Sequence, residues 1–339
     1  MKIKGAIIAA AAVMAVSTAA NAGTLDDVKA KGFVQCGVST GLAGFAFTDA
    51  NGVWDGFDVT FCRATAAAIF GDPNAIKFTP TTGKTRFTAL ASGEVDILYR
   101  NTTWTLSRDV DLGFTFLGVN YYDGQGFMVR KGLGVKSAKE LDGATVCIQT
   151  GTTTELNLAD FFRANGMSYE PVPIETNAEA QQKYLSNACD VYTTDASGLA
   201  ATRATFEKPA EHILLPEIIS KEPLGPLVRH GDNEWGDVGR WVLNALIIAE
   251  EKGITKANVA ELAKNGSSDP EVNRLLGKEG SDGDQLGLSK DWAVHAIAAG
   301  GNYGEIFERN IGESTAIGLA RGLNQLWSKG GILYAPPFR

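Results

Sequence analysis

Residues 85–109, TRFTALASGEVDILYRNTTWTLSRD, put a helical turn, a strand and a second turn into one short stretch and set an arginine near each end. Thr85–Ser92 has helical spacing, Val95–Tyr99 is an apolar run of strand length, and Thr105-Leu106-Ser107-Arg108 opens the next turn. Upstream, Phe33–Val38 reads as a strand and Lys77–Pro80 as another. Between them Gly56–Phe70 is apolar at helical spacing and stops at Gly71-Asp72-Pro73. The order βαβαβ implies a mostly parallel sheet covered by helices, with ligands meeting the carboxyl ends of its strands. Arg86 and Arg108 flank a strand end rich in Asn and Thr donors. A planar fork of N–H groups matches a carboxylate bidentately, so the stretch reads as a carboxylate-binding constellation.

The pattern repeats after Asn120-Tyr121-Tyr122. Strand Gly126–Val129 is followed by Ser137-Ala138-Lys139-Glu140, which reads as a capping box. Then come strand Ala144–Gln149, the loop Thr150–Thr154, a helix to about Asn165, strand Glu170–Ile174, helix Asn177–Asn187 and strand Val191–Thr194. Two similar α/β lobes joined by extended crossings near Tyr121 and Leu227 would leave a cleft between them. The expected segments are 23–121 for the first lobe, 122–226 for the second, and 227–339 for the return to the first lobe with a helical C-terminal extension. In that extension Trp235, Val238, Trp241, Leu246 and Ala249 recur at helical spacing, and Ser268-Asp269-Pro270-Glu271 starts another helix. Tryptophans 235, 241, 292 and 327 read as a packing stripe rather than a binding surface.

The N-terminus places a charged Met1–Lys4, an apolar Ala6–Val16 and Ala20-Asn21-Ala22 in the order of a cleaved secretory signal, residues 1–22. That points to a soluble protein of the periplasm. A net charge of -8 argues against nucleic acid as a partner. In an oxidising compartment the four cysteines suggest disulfides. Cys36–Cys62 and Cys147–Cys189 are preferred because each would staple a strand to a nearby element of one lobe, although three pairings, and free buried thiols, stay open.

Catalytic and metal motifs are weak. Gly37-Val38-Ser39-Thr40-Gly41 fits G-x-S-x-G but leads into a loop, and His212, His230 and His295 lie far downstream in plain contexts. Gly83-Lys84-Thr85 lacks the glycine a phosphate loop needs at position 78, and Asp49-x-Asn51-Gly52 lacks the rest of a calcium loop. No enzyme activity, cofactor or metal is expected. Recognition of both charged ends of an amino acid fits better: carboxylate on Arg108 with the Thr103 hydroxyl, the same anion near Gly151-Thr152-Thr153 at a helix start, and ammonium on Asp195 after a strand.

The runs GFDVTFCRATAAAIF, TRFTALASGEVDILYRNTTWTLSRD, LDGATVCIQTGTTTE and CDVYTTDASGLAA resemble the periplasmic amino-acid-binding proteins of ABC importers, solute-binding protein family 3. KEPLGPLVRHGD, GNYGEIFERNIG and RGLNQLWSKGG resemble its general L-amino acid subgroup. The resemblance implies a two-lobed clamshell of type II that closes on polar or acidic L-amino acids, of glutamate, glutamine and aspartate type. It would hand them to permease subunits in the inner membrane, driven by a cytoplasmic ATPase. It also implies that Arg108 binds the α-carboxylate with Asn101 or Thr103 and Thr153, that Asp195 holds the α-ammonium, and that Phe45 packs on the ligand. Arg86, Ser39 and Asn177 fall toward the side-chain end. A strictly acidic ligand would call for a second arginine where Ser39 stands, so acidic side chains are tolerated and not demanded. A dehydratase of cyclohexadienyl type on the same clamshell, and a protein presenting ligand to a separate sensor, are the alternatives.

Overall fold

Val34, Cys36 and Val38 are buried on one face of the first strand and Gly37 and Ser39 on the other, which makes it a central strand covered on both faces. The computed structural model describes residues 23–339; the secretory-signal reading of residues 1–22 lies outside the described residues. In chain order the first unit holds α1 (Thr24–Lys31), β1 (Val34–Ser39), the short ribbon β2 (Phe47–Thr48) and β3 (Trp54–Asp55), α2 (Phe57–Phe70), β4 (Ile76–Thr81), α3 (Arg86–Ala91), β5 (Ile97–Leu98) and β6 (Phe114–Phe116). A crossing strand, β7 (Tyr121–Asp123), leads into β8 (Gln125–Arg130), β9 (Ala144–Gln149), α4 (Thr153–Ala164), β10 (Tyr169–Ile174), α5 (Asn177–Leu185), β11 (Val191–Asp195), α6 (Ala196–Ala204) and β12 (His212–Leu214). The chain returns through β13 (Glu222–Leu224) and β14 (Leu227–Arg229). It ends in helices α7 (Asn233–Glu251), α8 (Val259–Asn265), α9 (Pro270–Leu275), α10 (Asp282–Gln285), α11 (Trp292–Gly300) and α12 (Tyr303–Asn310).

Two five-stranded sheets result, ordered β4-β1-β5-β14-β6 and β10-β9-β11-β8-β12. In each, the first three strands pair in parallel and the fourth is reversed, so four of five strands run the same way. The reversed strand in each sheet is the one contributed across the crossing, β14 to the first and β8 to the second. This gives the clamshell its two equivalent lobes. The crossings themselves pair antiparallel, β7 with β13, through Tyr121↔Leu224, Tyr122↔Pro223 and Asp123↔Glu222. The return crossing therefore precedes Leu227, which is fully buried and begins a sheet strand instead.

α11 packs along α2 and α7, and Trp292, Ala293, Ala296 and Ile297 join Phe57, Phe61, Val242 and Leu246 in one core. The C-terminal helices therefore thicken the first lobe, while the second lobe keeps a separate core on each face of its sheet. Trp235 and Trp292 are buried as a packing stripe requires, and Trp241 packs edge-on against Phe338. Trp327 departs from that reading: it is about half exposed and its indole donates to Glu251 Oε1 at 3.1 Å. Cys36–Cys62 ties β1 to α2, and Cys147–Cys189 ties β9 to the turn before β11, with Cα separations of 6.2 and 5.6 Å.

The helix starts follow side-chain chemistry only in part. Asp269 caps α9 ahead of Pro270, as its sequence suggests. Ser137 does not form the expected capping box. Its oxygen accepts from Lys139 N, Glu140 reaches Lys136 N, and the Ser137 hydroxyl donates to Glu217. A complete box forms at Asn302 and Glu305, opening α12.

Candidate functional site

Parallel strands end where the two lobes face each other, and most of the polar residues singled out in the sequence stand at those ends. Ser39 closes β1, Asp195 closes β11, and Arg100–Thr103 leave β5 toward the crossing strands. Asn101 turns at φ +28°, a backbone region that Asn enters more readily than most residues. The turn sends Thr103 and Trp104 against β13, where Thr103 bridges Leu224 and Trp104 N donates to Pro223 O at 2.8 Å. The chain then winds into a wide turn over Ser107–Asp111, which places Arg108 Nη1 2.9 Å from Thr103 O.

Three guanidinium groups converge here, at Arg86, Arg100 and Arg108, with 2%, 3% and 6% of their surface exposed. Each donates to a neutral oxygen: Arg86 Nη1 to Thr102 Oγ1 at 3.2 Å, Arg100 Nε to Thr81 O at 3.1 Å, and Arg108 to Thr103 O. Among the described residues no carboxylate oxygen lies within 4.0 Å of any of them, and Arg86 Nε has no partner at all. Burial, then the fields of Arg100 and Arg108, hold Arg86 well below the usual arginine range. Burial also lowers Arg100 and Arg108 to about 10. A buried cation that lacks a counterion is expensive and invites an anion.

Carboxylates face this cluster from the second lobe and the crossing strands. Asp195 is 6% exposed; burial raises its carboxyl well above the usual range, and Asp123 and Glu222 add repulsion. Asp123, donated to by the Ser197 hydroxyl and by Gly124 N, is raised by burial to about 6. Glu222 accepts from the hydroxyls of Thr103 and Thr153, from Asn157 Nδ2 at 2.7 Å and from the Ser220 hydroxyl at 2.6 Å. It thereby joins both lobes from the crossing strand.

The lobes touch at four further places. Asn101 Nδ2 lies 3.5 Å from Asp195 Oδ2, and Thr103 and Thr153 hydroxyls are 3.3 Å apart. Asn177, the first residue of α5, donates to Gly41 O at 2.9 Å and to Ser39 Oγ at 3.4 Å. Nearer solvent, Lys84 pairs with Glu175 at 3.1 Å, and a Cβ on Gly83 would stand 2.8 Å from Thr150 O. Thr152 precedes α4 with extended backbone, but its hydroxyl donates back to Gln149 O at 2.6 Å, away from the helix amides. Phe45 is 1% exposed and meets Phe57 and Tyr121 edge-on, so it belongs with the aromatic core and not with the polar set.

Sequence reasoning missed Arg100, Glu222 and Asp123. Arg100 had a usable signal, the strand end that flagged Asp195. Among the described residues no group of His, Cys, Asp and Glu side chains is placed to hold a metal ion, and no helix is long and apolar enough to cross a membrane.

Comparison with known proteins agrees with this fold. The glutamate/glutamine/aspartate/asparagine-binding protein BztA of Rhodobacter capsulatus is 65% identical over 324 residues, 96% of either chain. The general L-amino acid-binding periplasmic protein AapJ of Rhizobium johnstonii is 61% identical over 340 residues, 100% of this chain and 99% of that one. A solved ABC transporter periplasmic binding protein from Brucella ovis, with glutathione bound, superposes with a TM-score of 0.91 at 58% identity, over 94% of this chain and 100% of that chain. Residues 34–313 match the bacterial extracellular solute-binding proteins, family 3, and the chain belongs to that family.

Proposed function

We propose that this protein captures polar and acidic L-amino acids in the periplasm and delivers them to the permease subunits of an ABC importer. The observation that carries the reading is the set of three buried guanidiniums without carboxylate partners, facing a buried aspartate across two lobes. An amino acid supplies the missing charges: its α-carboxylate falls to Arg108 and the first amides of α4, and its ammonium to Asp195. Asn101, already beside Asp195, orients that carboxylate. Ser39 and Asn177 line the side-chain end together with Arg86, and Phe45 backs the cleft from the core. Thr103 and Thr153 give their protons to Glu222, so in this reading they position the hinge carboxylate and leave the ligand to Arg108. Residues 23–121 and 227–339 act as one lobe and 122–226 as the other. A ligand held by both favours their closure.

Glutathione is a second candidate, since it presents the same α-amino acid head and a second carboxylate to a cluster of three arginines. The dehydratase and sensor alternatives find no support in the near relatives, which are named as binding proteins. The test is a thermal-shift panel of the twenty L-amino acids and glutathione on protein refolded free of ligand. Stabilisation by glutamate, aspartate, glutamine or asparagine supports the proposal. A flat response to every amino acid refutes it.

A further inference from the structure

We infer that Arg100 is a specificity-determining residue that reads a second carboxylate on the ligand from just beyond the end of β5. The inference rests on the amino-acid-binding reading and adds the substrate class, a ligand whose side chain ends in an acid.

Position comes from the sheet. Ser39 is the register partner of Thr81 in the parallel pair β1–β4, and Arg100 Nε donates to the carbonyl of that same Thr81 at 3.1 Å. The guanidinium therefore lies against the strand ends that Ser39 and Thr81 complete. Asn177 of the opposite lobe approaches Ser39 Oγ at 3.4 Å, so the second lobe covers this corner. Nothing structural employs the rest of the fork. Arg100 is 3% exposed, its Nη atoms donate to no acceptor among the described residues, and no carboxylate lies within 4.0 Å. A structural buried arginine satisfies its donors with carbonyls or carboxylates, whereas Arg100 keeps its two outer nitrogens for something else.

Charges of both signs surround the Arg100 guanidinium. Arg100 and Arg108 both act on Arg86, and Asp195 is the largest charged influence on Arg100. With Arg108 on the α-carboxylate in the proposed reading, Arg86 and Arg100 remain, and the field of Arg100 reaches Arg86. Two adjacent guanidiniums favour a dianionic ligand over its amide, because an amide would have to turn its N–H groups toward cations.

The experiment is titration calorimetry of the refolded protein and its Arg100→Gln and Arg100→Lys variants with L-glutamate and L-glutamine. The expected result for Arg100→Gln is a loss of glutamate affinity at least tenfold larger than the loss of glutamine affinity, with Arg100→Lys recovering part of the glutamate preference. Equal losses for both ligands, or an unchanged glutamate-to-glutamine ratio, overturn the inference. Should the glutamine variant not fold, Arg100→Met tests the same ratio with an apolar side chain of similar length. A wild-type protein that binds neither ligand overturns the functional reading itself. A wild type that binds both, with no change of preference in the variants, overturns only the role of Arg100.

Discussion

Replacing Asp195 by Asn separates two effects of opposite sign. With the lobes in contact the carboxylate is buried, repelled by Asp123 and Glu222, and its only hydrogen-bond partner among the described residues is a long contact from Asn101. Removing the charge relieves that burden, so ligand-free Asp195→Asn melts at or above the wild-type temperature. Binding moves the other way. Taking one partner from a buried charge pair costs about 3–5 kcal/mol, which weakens Kd by roughly two to three and a half orders of magnitude. At a ligand concentration of about 100 times the wild-type Kd, wild type gains about 2.7 kcal/mol. The described residues 23–339 have an unfolding entropy of about 0.7 kcal/mol/K, so that gain appears as a rise of about 4 °C. The variant at the same concentration shows a rise below about 1 °C. Differential scanning fluorimetry with and without L-glutamate reads both quantities. A variant that keeps the full ligand shift, or whose ligand-free form melts several degrees lower, would show that Asp195 does not receive the ammonium and instead braces the fold.

Two further outcomes follow from the same structure. Cys147–Cys189 closes a separation of 42 residues and Cys36–Cys62 one of 26, so chain entropy assigns them about 4 and 3.5 kcal/mol, and paired serine variants should melt lower in that order. Stability should also fall between about pH 4 and 7. Asp58 is raised by burial to about 7 and Asp123 to about 6 from an ordinary 3.8, so the native state holds protons that the unfolded chain has released. The stability these groups give is complete below pH 3.8 and is lost as pH rises through 6 to 7, by at most about 1.4 kcal/mol per pH unit and group. Asp58→Asn should flatten the upper part of that decline, between about pH 6 and 7, in a pH series of melts, and an unchanged slope there would contradict the assignment.

Much of this architecture was legible because long elements carry their own pattern. β9 spans Ala144–Gln149 as read, α2 ends at Phe70 before Gly71, and α7 follows its 3.6-residue apolar spacing. The three-residue strands β6, β13 and β14 were not legible, since a few residues hold no period and become strands only when a neighbour pairs with them. That is why the return crossing was expected near Leu227 and lies at Glu222–Leu224. The site divides the same way. Arg108 and Asp195 stand at element boundaries that sequence reveals. Glu222 does not, because its role is defined by Thr103 and Thr153, which are 119 and 69 residues away along the chain. Arg100 stands just past the strand read at Val95–Tyr99, and only the bond to Thr81 shows which way its side chain turns.

These placements together account for how closure can depend on ligand. With the lobes together Arg86, Arg100, Arg108 and Asp195 are all buried, while the interlobe bonds that compensate are few: Asn177 to Gly41, Asn101 to Asp195, and the hydroxyls that Thr103 and Thr153 give to Glu222. The one direct ion pair described at the mouth, Lys84 to Glu175, is more than half exposed on both sides and contributes about 1 kcal/mol at most. Closure around empty space therefore strands charge at a penalty of several kcal/mol per ion. A zwitterion carrying one or two carboxylates and an ammonium reverses that balance, since every charge it brings meets an opposite one already in place. In the proposed reading, the differential affinity that shifts the population to the closed form resides in the guanidiniums and the aspartate. Variants that neutralise them should weaken the ligand's power to close the lobes while easing closure without it.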